Sequence, residues 1–504
     1  MVILILDSWL LILDPNNTNF TATAKILKNR ILIQFILNDI TISTALSPGM
    51  TILDFIRYER QLFGTKIGCR EGDCGACTVL IGQLIDGEID YRSATSCLMP
   101  LGNAHGKHIV TVEGINFSGL NPVQQSMSDE GATQCGFCTP GFVVSLTGFC
   151  MQKKNNDVIS SIDGNICRCT GYKSIERAAF QISKLLNDRK EENVIEFAIS
   201  KKIIPEYFLT IKKRLIDLSS TIIATVEINK KHLSTFVGGG TDLYVQKHEV
   251  MIHSESYYLS DISKMNSIRE KNGKCILGGS VTVTDLIESP IIRKIFPHFL
   301  KYSKLVSSTP IRNMATLGGN FVNASPIGDY TVFFLALNTS VHLNDGNRSR
   351  EVLLKNFYKG YKTLDKAPNE YIEEIHFLIP SQDTLFNFEK VSKRTNLDIA
   401  SVNSAIQISV NKGSILNVNL SAGGVSPVPM YLNRSNEFLA GKKLSETIIE
   451  EVCEIAGEEI SPISDVRGTA TYKRFLLQQL IKAHFITLFP TILPEKFQSA
   501  YEEY

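Results

Sequence analysis

Apolar and polar residues alternate through ILIQFILNDITIS, residues 31–43, on both sides of Asn38-Asp39. A period of two broken by an Asn-Asp pair predicts a β-hairpin. In TILDFIRYERQLF, residues 51–63, the apolar set Ile52, Leu53, Phe55, Ile56, Leu62 and Phe63 falls near helical spacing. CTVLIGQLI, residues 77–85, then reads as a strand. Strand, strand, helix, loop and strand predict a small grasp-like sheet. Further on, Ile175, Ala178, Ala179, Ile182, Leu185 and Leu186 put one apolar face on a helix. After residue 400, SAIQISVNKGSILNVNLSAGGVSPVP reads as strands with Gly/Pro turns. SETIIEEVCEIAGEEI and ATYKRFLLQQLIKAHF read as amphipathic helices. Strands beside segregated helices predict an α+β arrangement there.

Composition narrows this picture only a little. The chain of 504 residues is long enough for roughly three or four domains. Lys and Arg number 52 against 51 Asp and Glu, so no basic excess points to nucleic acid or to an anionic membrane. The apolar opening MVILILDSWLLILDP is interrupted by Asp7, has no basic flank and is too short to span a bilayer. No export signal is legible, so the expected compartment is the cytoplasm, where thiols stay reduced. The Asn/Thr-rich stretch up to residue 28 fits no domain pattern and reads as a dispensable extension or an early start site. Eleven cysteines in a chain of this length argue against a disulfide framework.

Those cysteines carry the chemistry. GTKIGCREGDCGACTVLIG holds Cys69, Cys74 and Cys77 as C-x4-C-x2-C, with Cys97 following in SATSCLMPL. This is the plant-type ligand spacing for a 2Fe–2S cluster. Gly68, Gly72 and Gly75 allow tight turns that aim amide N–H groups at sulfur. Structural zinc, the rival reading, prefers two short Cys pairs, and only one is present. A second set, Cys135, Cys138, Cys167 and Cys169, lies in TQCGFCTPGF and NICRCTGY as C-x2-C and C-x-C. Each pair precedes a predicted helix, with Thr139 as candidate N-cap and Pro140 in the first turn. Two helix N-termini then face one anionic cluster. Cys150, Cys275 and Cys453 have no partner at ligand spacing and read as small buried hydrophobes.

STFVGGGTDLYVQ reads as a strand running into three glycines, a place where backbone N–H groups can approach a phosphate. It lacks the G-x-G-x-x-G dinucleotide fingerprint, and taken alone it reads more simply as a tight turn. STPIRNMATLGGNFVNASPIGDY gathers Thr309, Arg312, Asn313, Thr316, Gly318, Gly319, Asn320, Asn323, Ser325 and Asp329 in what reads as one loop-rich span suited to pyrophosphate and ribitol. Nine scattered histidines show no nucleophile–base pattern, so no acid–base catalyst is assigned.

Taken together, GCREGDCGACTVLIG, QCGFCTPGF, NICRCTGY, FVGGGTDLYV, TLGGNFVNASPIGD, KVSKRTNLDIASVNSAI, SAGGVSP and SPISDVRGTATYKR resemble the small iron–sulfur/flavin subunit of bacterial xanthine dehydrogenase, in the molybdenum hydroxylase family. The resemblance runs from about residue 30 to about 490. It implies an α+β multidomain chain: a ferredoxin-like β-grasp domain at 29–112, a four-helix 2Fe–2S bundle at 113–187 and a linker at 188–225. A vanillyl-alcohol-oxidase-like FAD domain at 226–383 and an α+β C-terminal domain at 384–504 follow, with 1–28 as the extension. It also implies non-covalent FAD held by Phe236, Val237, Gly238, Gly239, Gly240, Thr241, Asp242 and Leu243 and by Thr316, Gly318, Gly319, Asn320 and Asp329. Lys390, Arg394 and Asp398 lie near a matching flavin-adjacent segment, where a structural salt-bridge role is at least as reasonable. The cofactors implied are two 2Fe–2S clusters and FAD, with NAD+ as acceptor and molybdopterin on a large partner subunit, in a heterodimer or dimer of heterodimers. Electrons would pass from xanthine or hypoxanthine, oxidised to urate, through both clusters to FAD and NAD+. The rivals are the same module in a carbon monoxide dehydrogenase-type hydroxylase, a stand-alone flavin reductase and a zinc-stapled scaffold.

Overall fold

The computed structural model describes residues 2–6, 9–13, 32–153, 157–190, 193–222, 235–394 and 397–491. Residues 1–28, expected as an extension, lie outside the described residues except for the antiparallel strands Val2–Leu6 and Trp9–Leu13. No helix among the described residues is long and apolar enough to cross a membrane.

The predicted hairpin forms from strands Ile33–Leu37 and Ile40–Thr44, turning at Asn38-Asp39 with Asn38 at φ +53°. It joins a five-stranded sheet in the order Ile40–Thr44, Ile33–Leu37, His108–Val110, Thr78–Ile85, Glu88–Thr95. Strand His108–Val110 runs parallel to Ile33–Leu37 and antiparallel to Thr78–Ile85. The helix expected over 51–63 is short and widens into a π-turn at Phe55–Glu59, and only its first half is core. Ile52, Leu53, Phe55 and Ile56 are buried, whereas Phe63 stands in solvent.

The helical domain packs Pro122–Asp129, Thr139–Cys150, Lys173–Lys184 and Val194–Ser200 around one core that includes Val123, Phe142, Ile175 and Ala198. The fourth helix therefore comes from the segment expected to be a linker. A further helix, Phe208–Ile222, lays Ile211 and Leu215 on Ile36 of the grasp sheet, while Phe208 packs against Tyr91 and His108. Within 193–222 the charged residues mark the solvent face of these helices rather than a free crossing. Thr139 does not cap its helix: Cys138 occupies the cap position, and the Thr139 hydroxyl pairs with Thr133 at 2.7 Å.

The third unit starts with strand Thr235–Val237, parallel to Ser256–Tyr258, and helix Thr241–Met251. An antiparallel sheet follows in the order Ile268–Lys271, Lys274–Gly278, Tyr371–Leu378, Ser340–Asn344, Ser349–Leu353. The span 308–330 is mostly helical: short helices at Thr309–Arg312 and Leu317–Asn323 precede Asp329–Leu335. The fourth unit is the sheet Thr384–Val391, Val402–Asn411, Ser414–Gly423, Met430–Tyr431, covered by helices Glu446–Glu459 and Ala470–Leu488. The architecture is thus α+β and multidomain.

Candidate functional site

The first cysteine loop wraps between the short helix and strand Thr78–Ile85. Gly72 and Gly75 adopt φ of +82° and +65°. Gly68 is needed for space, because a Cβ there would sit 2.5 Å from Cys74 Sγ. The loop turns its amides inward: Glu71 N–H donates to Cys69 Sγ at 3.3 Å and Cys74 N–H at 3.4 Å. The Cys69 thiol is drawn down to about 5, first by the Cys74 thiol and then by these amides. Cys77 and Cys97 are buried, and their thiols hydrogen-bond each other. In the helical domain Cys135 pairs with Cys169, and Cys138 with Cys167. Cys167 Sγ accepts from Thr170 N–H at 3.5 Å, and its own amide donates to the Tyr172 hydroxyl at 3.1 Å.

The thiols meet in twos. A two-iron cluster held by four cysteines assigns two to each iron, and two pairs per site suit it. The residues present therefore fit 2Fe–2S, with Cys69, Cys74, Cys77 and Cys97 as one set and Cys135, Cys138, Cys167 and Cys169 as the other.

A cavity of about 610 Å³ opens between the strand–helix turn at 236–243 and the turn at 315–323. That size suits a cofactor pocket. Phe236, Gly238, Gly239, Gly240, Thr241, Asp242, Leu243, Thr316, Gly318, Gly319 and Asn320 all line it. The amides of Gly239, Gly240, Thr241 and Asp242 bond to no acceptor among the described residues, and they start an eleven-residue helix. Free N–H groups at a helix start suit a pyrophosphate. Burial pushes the Asp242 carboxyl up, opposed by Lys362.

Two expected residues fall elsewhere. Val237 is fully buried in the core shared with the grasp domain. Asp329 receives Lys390 Nζ at 2.8 Å and Asn403 Nδ2 at 2.6 Å, away from the cavity. Lys390 also donates to the Leu305 and Asp398 carbonyls, so its role is the structural one. Thr309, Arg312 and Asn313 join domains instead. Thr309 N–H and Arg312 Nη2 reach Asp163 at 2.7 and 2.6 Å, and Asn313 Nδ2 reaches the Ser93 carbonyl at 2.8 Å. The far wall of the cavity, Lys362, Lys366, Glu370 and Tyr371, was missed. No glycine run or cysteine marks that stretch, and only the folding of strand Tyr371–Leu378 brings it opposite the motifs.

The three centres adjoin in a row. A Cβ on Gly75 would meet the Gly164 carbonyl at 2.3 Å, so the first cysteine loop abuts the second. On its other side, a Cβ on Gly240 would meet the Leu98 carbonyl, next to Cys97, at 2.8 Å. Asn103 Nδ2 donates to the Gly238 carbonyl at 2.8 Å. Arg92 Nη1 and Nη2 bind Asp285 and Glu288 at 2.7 and 2.9 Å, clamping the grasp sheet to the third unit.

Four family descriptions match along the chain: a 2Fe-2S iron-sulfur cluster binding domain at 35–101, a 2Fe-2S binding domain at 111–180, an FAD binding domain in molybdopterin dehydrogenase at 219–381 and a CO dehydrogenase flavoprotein C-terminal domain at 388–488. Such a set defines an iron–sulfur flavoprotein, an oxidoreductase module for electron transfer. The chain belongs to the molybdenum hydroxylase family, as the part bearing the iron–sulfur and FAD domains. Xanthine dehydrogenase of Emericella nidulans is 28% identical over 482 residues, covering 82% of this chain and 35% of that protein. Xanthine dehydrogenase/oxidase of Gallus gallus is 25% identical, covering 91% of this chain and 40% of that protein. The chain thus spans well under half the length of these curated relatives. Among solved structures, a Cu,Mo-CO dehydrogenase chain is 22% identical with a TM-score of 0.47, covering 50% of this chain and 88% of that one.

Proposed function

We propose that the chain is the electron-transfer part of a xanthine dehydrogenase, acting beside a large molybdopterin-binding partner in a heterodimer or dimer of heterodimers. The substrate is xanthine or hypoxanthine, oxidised to urate, NAD+ is the final acceptor, and the reaction is cytoplasmic. When bound, the clusters carry single electrons, and FAD exchanges one or two and so meets a hydride acceptor. The observation that carries this reading is the contiguity of the three sites, with the grasp-domain loop between the helical-domain loop and the flavin cavity. It supports the order partner, helical-domain cluster, grasp-domain cluster, FAD, NAD+. The outer end of that row is open. Cys135 and Cys169 are exposed, as are the neighbouring Phe137, Ile166 and Tyr172, a surface suited to a protein partner. The chain's own residues hold sulfur with amide donors, present free N–H groups to the flavin phosphates and fix the domains by the Arg92 and Arg312 contacts.

A carbon monoxide dehydrogenase-type hydroxylase is the second reading, favoured by the description matched at 388–488. The matches to xanthine dehydrogenases over 82% and 91% of this chain favour the first. The test uses the anaerobically purified chain with and without its co-expressed large partner. NADH should bleach flavin and clusters of the chain alone, and xanthine should do nothing until the partner is added. CO-dependent but not xanthine-dependent reduction by the complex would transfer the assignment to the second reading. Xanthine turnover by the chain alone would remove both.

A further inference from the structure

Asn165 stands between the two cysteine sets without belonging to either. Its side chain is buried and fully engaged. Nδ2 donates to the Gly75 carbonyl at 3.1 Å, and Oδ1 accepts from Ser145 Oγ at 2.8 Å. Gly75 lies between Cys74 and Cys77. Ser145 lies on the helix whose cap is Cys138. The same turn points the Ile166 N–H at the Cys74 carbonyl, at 3.0 Å. Ile166 directly precedes Cys167. The fit leaves no slack: a Cβ on Gly141 would approach the Gly75 carbonyl to 2.3 Å, and one on Gly75 would approach Asn165 Nδ2 to 2.4 Å.

We infer that Asn165 is a positioning residue for electron transfer between the two cysteine-held clusters, acting by fixing the Cys74 carbonyl on the Ile166 amide. This rests on the reading that both sets hold 2Fe–2S. The connection runs from Cys74 Sγ through its Cβ, Cα and carbonyl, across one hydrogen bond, then along the Ile166 and Cys167 backbone to Cys167 Sγ. One electron passing along it oxidises an iron of one cluster by one unit and reduces an iron of the other by one. No bond breaks and no proton moves. A hydrogen-bonded bridge couples redox centres better than a through-space gap, and Asn165 prevents the two loops from separating. Satisfied buried amide networks of this type hold one geometry rather than several.

The whole chain is purified anaerobically, and iron and labile sulfide are measured first. A parent protein without labile sulfide overturns the cluster assignment and this inference with it; the variants separate the two. Asn165→Leu keeps the branched outline of the side chain, with bulkier methyls in place of the amide oxygen and nitrogen, and removes its side-chain hydrogen bonds to Gly75 and Ser145. It should retain parental iron and sulfide and the parental spectrum of each cluster reduced singly. With both clusters reduced by dithionite, the spin–spin splitting expected in the parent's low-temperature electron paramagnetic resonance spectrum should weaken in this variant. The variant should also slow electron redistribution after partial reduction. Ser145→Ala, a gentler change, should weaken the splitting at full iron content, and it decides the matter if Asn165→Leu does not accumulate. Parental splitting in the folded variants overturns the inference. So does loss of iron from either set, which would make Asn165 a support of one loop rather than the aligner of two.

Discussion

Gly239 gives the sharpest test of the flavin cavity, because its missing side chain faces away from the space it lines. An ideal Cβ there would lie 1.8 Å from the Met314 carbonyl oxygen and 2.6 Å from its carbon. Both atoms are backbone, so no side chain can swing aside, and an alanine must drive the glycine turn away from 314–316 by more than an ångström. These segments are two walls of the same cavity. Overpacking of this severity costs about 3 kcal/mol, the upper end of the usual range. If most of that falls on the bound form, FAD affinity drops by roughly 100-fold. Gly319→Ala is the control: it lines the same cavity, but its Cβ meets only the Thr316 hydroxyl, at 2.8 Å, and a small loss is expected. The assay is heat-released flavin per chain, with iron and sulfide measured on the same samples. Gly239→Ala should lose flavin and keep both clusters. A Gly239→Ala protein that retains parental flavin affinity would refute the assignment of this joint to the FAD site.

Three further outcomes follow from other parts of the molecule. Cys77→Ser should lower iron from about four per chain to about two, whereas Cys150→Ser, in the apolar helical core, should leave iron unchanged; equal losses would contradict the ligand sets. Asp163→Ala should lower the stability of the joint between helical and flavin domains by about 3 kcal/mol. Arg312 Nη1 keeps the Val306 and Ser307 carbonyls, which holds the cost to the low end; an unchanged urea midpoint would refute it. Burial holds His108 and His484 neutral, with pKa values pushed down from 6.5 to about 3. The unfolded chain takes up a proton on each near 6.5, so their contribution is complete above that pH and is lost as pH falls from about 6.5 to 3. The slope is up to about 1.4 kcal/mol per pH unit for each histidine. A melting temperature that stays flat between pH 7.5 and 5 would rule this out.

The parts of the site legible in the sequence are those where chemistry fixes spacing. A cysteine loop must place its sulfurs within a few residues of one another, so C-x4-C-x2-C and C-x2-C survive as local patterns. The hairpin at 33–44 and the helices at 446–459 and 470–488 are legible for a similar reason, since each buries one face at its own period. Local reasoning fails where a residue serves two partners at once. Asp329 sits in a polar motif yet spends its carboxylate on Lys390 and Asn403, which are 61 and 74 residues further along the chain. The charged stretch around 188–222 has the composition of a linker, yet it supplies the fourth helix of one domain and a cover for the next.

The sequence alone determined which atoms can hold iron and where a phosphate can approach the backbone, because ligand type and glycine placement are local properties. It left the order of the centres open. That order depends on contacts such as Ile166 to Cys74 and Gly240 to Leu98, between segments 92 and 142 residues apart. Such contacts are fixed only when separate cores pack against one another. Tertiary structure alone therefore set the helical loop beside the grasp loop and the grasp loop beside the flavin cavity, because those approaches depend on how separate cores pack.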